Sequence, residues 1–114
     1  MAIRAYTTIE QSKKLAEILP LESADMYYEW PNKKVHFKDD KYNGMGLSCW
    51  GLAALIGVLP MIDVANPFIA KTPNNEYYVV YATLTKEVDS SAIYDNPIDA
   101  CYEMIIKLHE LKML

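Results

Sequence analysis

Two amphipathic segments near the ends of the chain, a charge-free run between them and a pair of Tyr- and Val-rich stretches around a turn place this sequence in the α+β class. The predicted architecture is three helices packed on a small, mainly antiparallel sheet. The end segments repeat apolar residues at helical spacing, whereas the paired stretches flank Thr72-Pro73-Asn74-Asn75, whose Pro and Asn suit a hairpin turn. With 114 residues, 52% of them hydrophobic and 23% charged, the chain suits one globular domain over 1–114. A domain of this size buries about two-thirds of its unfolded surface.

The first helix is predicted near 8–19. Thr7 and Glu10 carry the spacing of a capping box, Leu15, Ile18 and Leu19 form an apolar stripe, and Pro20 stops the helix. Met26, Tyr28 and Trp30 then alternate with Tyr27 and Glu29, and Val35 and Phe37 flank His36 after a Pro31-Asn32 turn signal, which predicts a strand or a hairpin. The uncharged stretch ending at Pro60 predicts a second helix near 49–59, apolar or small on every side and therefore the most buried of the three. Residues 67–71 and 76–82 form the predicted hairpin, and a short strand is expected near Ile93. The third helix, near 97–112, opens with Asn96 as cap, Pro97 at the first position and Asp99 in the first turn. One stripe of it holds Cys101, Met104, Ile105, Leu108 and Leu111; a second, beside it, holds Tyr102, Ile106, His109 and Met113.

Cys49 carries the chemistry that is easiest to imagine. With Ser48 as N-cap, Cys49 falls at the first helical position, where unpaired N–H groups and the macrodipole stabilise a thiolate. Ser48, Cys49 and Trp50 resemble the segment around the nucleophile of papain-like cysteine proteases. That resemblance implies a base-bearing histidine downstream and a third group to orient it. His109 is the one histidine after Cys49, and it falls in the terminal helix, whereas the family's histidine lies on a strand; His36 precedes the cysteine. The alternative is a buried structural thiol, the commoner fate of a free cysteine.

Other constellations are less complete. His36, Cys49, Cys101 and His109 could together supply four zinc ligands, but lack a paired short spacing to nucleate a site. Lys33, Lys34, Lys38 and Lys41 lie among Trp30, Phe37 and Tyr42, a basic-aromatic mixture suited to single-stranded nucleic acid. Asp39 and Asp40 interrupt it, and the net charge of −4 argues against nucleic acid or a membrane surface as partner. Gly44 and Gly46 lack the spacing of a phosphate-binding loop, so no metal and no cofactor are expected. The chain opens without a hydrophobic signal core and has two cysteines, which fits a reducing, cytoplasmic setting with free thiols.

Three longer stretches, 10–20, 48–60 and 94–110, together resemble a family of small uncharacterised proteins from gut Bacteroidales, their phages and mobile elements. The likeness covers both ends and the central helix. It implies a mobile-element setting and no mechanism.

The expected function is therefore that of a noncatalytic binding or adaptor protein, with a small cysteine hydrolase or transferase built on Cys49, His36 and His109 as the alternative. Self-association is expected from a count of apolar surfaces. The second stripe of the last helix, Tyr102, Ile106, His109 and Met113, and the tyrosines Tyr77, Tyr78 and Tyr81 of the hairpin exceed what one small core can cover. A second copy, an unidentified protein partner or a ligand groove would use the same residues.

Overall fold

The computed structural model describes residues 4–39, 42–62, 65–82, 87–90 and 92–114, with helices α1 (Ile9–Ala16), α2 (Leu52–Val58) and α3 (Pro97–Glu110). Its strands are β1 (Met26–Tyr28), β2 (Val35–Phe37), β3 (Leu47–Cys49), β4 (Asn66–Lys71), β5 (Tyr77–Ala82) and β6 (Glu87–Ser90). The fold is α+β, as the sequence predicts, but the strands form two antiparallel sheets of three, ordered β2-β1-β3 and β4-β5-β6.

α1 is capped one residue later than the spacing of Thr7 and Glu10 suggests. Thr8 accepts from the Gln11 backbone N–H at 3.1 Å, and Gln11 Oε1 accepts from the Thr8 N–H at 3.0 Å. Thr7 is committed elsewhere: fully buried, its hydroxyl contacts Ser12 Oγ at 2.7 Å and accepts from the Trp50 N–H at 3.1 Å. Asp99, in the first turn of α3, accepts from Arg4 and, at 2.8 Å, from Gln11, which ties both ends of the described chain together.

The predicted second helix starts three residues late, because Leu47, Ser48 and Cys49 pair with β1 instead, opposite Tyr28, Tyr27 and Met26. Gly51 caps α2 with extended backbone and no side-chain hydrogen bond, its own N–H donating to Asp25 Oδ1 at 2.8 Å. Nor is α2 the most buried helix. Of its residues only Leu55 is buried and Ile56 is 40% exposed, whereas α3 buries seven. A short helix buries one face, and the residues α2 leaves exposed are Ala53, Ile56 and Gly57, two of which carry little or no apolar side chain.

β4 and β5 pair in full register from Asn66↔Ala82 to Lys71↔Tyr77. The turn between them is held by Thr72, whose hydroxyl accepts from the Glu76 N–H at 3.1 Å, while Asn75 takes the left-handed conformation with φ 61°. Pro67 sits on β4, an edge strand where a missing N–H is tolerated. The strand expected near Ile93 is reduced to a single bridge, Tyr77↔Tyr94, with Ile93 itself exposed.

The main core gathers Leu15, Trp50, Leu55, Val79 and Tyr81 around the inner stripe of α3: Cys101, Met104, Ile105 and Leu108, all fully buried. Leu111, the last of that predicted stripe, lies past the helix end and is exposed. A smaller cluster of Met26, Tyr28 and Cys49 covers one face of the first sheet, with Tyr6, Ile9, Val35 and Leu47 packed on it.

Gly46, just before β3, satisfies two constraints at once. Its φ is +87°, and a Cβ there would come within 2.3 Å of the Tyr28 carbonyl oxygen. Gly44, at φ +86°, has open space around it. Gly46→Ala is expected to cost about 2–3 kcal/mol by urea unfolding against about 1 kcal/mol for Gly44→Ala. Equal costs would mean that backbone strain alone matters at both positions.

Candidate functional site

Cys49 is placed on a strand and not at a helix start, so the macrodipole offers its sulfur nothing. Burial, reinforced by the nearby Asp25 carboxylate and only partly offset by Lys38, pushes its thiol up to about 12. Cys101 is likewise pushed up to about 12, by burial alone. His36 cannot serve Cys49 as a base. In the β2-β1-β3 sheet His36 pairs with Tyr27 and Cys49 with Met26, which puts their side chains on opposite faces. His109 is exposed near the end of α3, outside the cluster that holds Cys49. The two cysteines belong to different core clusters, and no group of three or more His, Cys, Asp or Glu side chains able to hold a metal occurs among the described residues.

The hairpin tyrosines divide by register. Tyr81 is fully buried and its hydroxyl donates to the Pro60 carbonyl at 2.7 Å, so it faces the chain's own core. Tyr77 lies on that same face, half-buried, with Lys71 Nζ 5.9 Å from its ring centre. Tyr78 turns the other way, alongside Val80 and their cross-strand partners Ala70 and Phe68, and Phe68 is 55% exposed. On α3, Tyr102 is half-buried and packs against the main core, Ile106 is half-buried and His109 is exposed, while Met113 lies past the helix end, exposed, so the predicted second stripe does not continue to it.

Among the described residues, a concavity lies on the face of the first sheet opposite Cys49. Tyr27 projects from β1 and Tyr42 from the segment before β3, their ring centres 4.8 Å apart at 46°. Trp30, from the β1–β2 turn, and Met45 complete the apolar walls of a cleft of about 310 Å³, with Glu29 and Asn43 as its polar groups and Gly46 among its lining. That volume is at the small end of the range for ligand sites. Behind Tyr27, the His36 ring stacks at 5.5 Å, and His36 Nε2 lies 3.5 Å from Glu29 Oε2. Asn32 Nδ2 donates to the other Glu29 oxygen, so the carboxylate is fixed by two neighbours.

Tyr42 also borders a second, shallower depression with Phe37 and Lys38. From that side Lys38 Nζ stands 4.9 Å over the Tyr42 ring while donating to the Leu21 carbonyl at 3.0 Å and Ser48 Oγ at 2.9 Å. Desolvation lowers the Lys38 pKa, with the Cys49, Asp25 and Glu22 charges acting against it.

Trp30, Tyr42 and the lysines around them stand out in the sequence as a basic-aromatic mixture. Tyr27 reads as the wet side of a strand, and the approach of Tyr42 to it depends on the loop path before β3, which no periodicity encodes. Lys41 and Asp40, part of that mixture, lie outside the described residues. Compared with known proteins, the chain matches no family model, no curated sequence and no solved structure. Among the described residues, no helix is long and apolar enough to cross a membrane.

Proposed function

We propose that this is a noncatalytic binding protein whose ligand site is the cleft between Tyr27, Trp30 and Tyr42. The observation that supports this most is the grouping of accessible apolar side chains around one concavity: Trp30, 47% exposed, and Met45, 70% exposed, line it together with Tyr27 and Tyr42, and a contiguous apolar lining beside a few polar groups is what marks a recognition site. The alternative of a cysteine enzyme loses its basis, because Cys49 is buried with a raised pKa and faces away from His36. The mobile-element setting implied by the sequence resemblance belongs to the same reading. In two-dimensional amide NMR, millimolar fragments comprising small cations, anions and uncharged aromatics are expected to shift Tyr27, Trp30 and the 42–46 segment. Fragments that move only other residues, or none, would end this assignment.

Self-association is the second part of the reading, supported by the outer face of the β4-β5-β6 sheet. Phe68 is exposed there beside half-buried Ala70, Tyr78 and Val80, an apolar face that a twofold copy would cover. Sedimentation velocity at tens of micromolar is expected to give a dimer for the wild type and a monomer for Phe68→Glu. A dimer lost instead in Ile106→Glu would move the interface to the outer stripe of α3, and a monomeric wild type would remove the dimer altogether.

A further inference from the structure

We propose that the cleft between Tyr27, Trp30 and Tyr42 binds a quaternary ammonium group, with Glu29 supplying the countercharge. The inference rests on the binding reading above and names the ligand chemistry for it. Three aromatic residues line one small volume, and aromatic faces attract cations within about 6 Å through their negative quadrupole, most strongly for Trp and then Tyr. Among the described residues, Glu29 is the one charged side chain in the lining. Its carboxylate is held in place by Asn32 and His36, so it is oriented before a ligand arrives.

One ring of the cleft already makes this interaction. The Lys38 ammonium sits 4.9 Å over the Tyr42 ring, donating to the Leu21 carbonyl and Ser48 Oγ, and Lys38 lines the neighbouring depression rather than the cleft. Tyr42 is thus a ring that accepts a cation in this environment, and Lys38 is fixed outside the cleft. Lys33 and Lys34, in the β1–β2 turn, are exposed and do not line it. A methylated ammonium suits the cleft better than a primary amine. It gives up no N–H hydrogen bonds on leaving water, and the lining offers apolar rings and the Met45 thioether to its methyl groups.

Nucleobase stacking would use the same rings, but it would bring a phosphate chain toward Glu29 and would gain no countercharge from the lining. The quaternary group could belong to a free small molecule or to a trimethylated lysine side chain of a protein. Both present the same head.

The test titrates wild-type protein, at constant ionic strength, with choline, with its uncharged isostere 3,3-dimethylbutan-1-ol, and with N-acetyl-trimethyllysine methylamide. Trp30 fluorescence and the NMR shifts of the cleft report binding; Trp50, fully buried, supplies a constant background. Choline is expected to bind at least about fivefold more tightly than the alcohol. Glu29→Gln, which retains an oxygen for Asn32, should reduce choline binding several-fold and leave the alcohol unchanged, and Trp30→Ala should abolish both responses. A tighter response to the lysine derivative than to choline would assign the group to a protein side chain, and the reverse to a free small molecule. Equal binding of choline and the alcohol would overturn the cation preference while leaving a ligand cleft in place. Shifts caused by anions or neutral aromatics alone would overturn it too, and an unresponsive cleft would remove the binding reading with it.

Discussion

Trp50→Ala is expected to lower the unfolding free energy by about 3–5 kcal/mol, enough to consume most of the stability of a small domain. Trp50 is fully buried in the main core, and it is also the point where the first sheet is fastened to that core. Cys49, its neighbour in sequence, belongs to the small cluster under β1 and β3. The Trp50 N–H donates to Thr7 Oγ1 at 3.1 Å, its carbonyl accepts from the Thr7 N–H at 3.0 Å, and its indole donates to Ser23 Oγ at 2.9 Å. Truncation therefore opens a large cavity and leaves the Ser23 hydroxyl without its donor. Urea unfolding followed by far-ultraviolet circular dichroism measures the loss. A midpoint within error of wild type would mean that the two clusters are not mechanically joined at this residue.

The second large effect is a loss of stability in alkali. In the unfolded chain the two thiols ionise around pH 8.5, while burial holds both protonated up to about 12 in the folded protein. A raised folded pKa stabilises fully below the unfolded value and is lost as pH climbs toward the folded one, because only the unfolded state gives up protons in between. At pH 10 this amounts to about 2 kcal/mol for each thiol and about 4 kcal/mol for the pair, relative to pH 7.5. Cys101→Ala should remove one thiol's share, about 2 kcal/mol of the loss between pH 7.5 and 10, whatever it does to packing. A bulky disulfide reagent at pH 7.5 is expected to react with neither cysteine until urea unfolds the chain. A flat stability profile between pH 7.5 and 10, or rapid labelling of the native protein, would show that Cys49 or Cys101 reaches solvent.

Much of the fold was legible because local rules and tertiary demands agreed. Asn96, Pro97 and Asp99 start α3 as their residue types dictate, and the Thr72–Asn75 turn fixes the register of β4 against β5. The inner stripe of α3 could be read from spacing alone. Where partners distant in sequence decide, local reading failed. Leu47 to Cys49 carry no strand pattern and become a strand only because β1 offers its second edge. Thr7 and Thr8 are equally good caps, and the choice between them is made by Trp50, which claims Thr7. The cleft was half legible: Trp30 and Tyr42 attract notice, but the pairing of Tyr27 with Tyr42 arises from the positive-φ glycines that steer the chain before β3.

The share of the main core carried by α3 bears on how the protein is made. Seven of the buried residues lie between Pro97 and Leu108, and Val79 and Tyr81 beneath them become covered when that helix arrives. On a ribosome adding residues at about 5–20 per second, everything from α1 to β6 emerges with its apolar surfaces uncovered for several seconds. The β1–β2 and β4–β5 hairpins can pair locally in that interval, but the core cannot close. Folding of this chain is therefore an event that follows synthesis of α3, and the nascent polypeptide before that point is the form most exposed to chaperones and proteases.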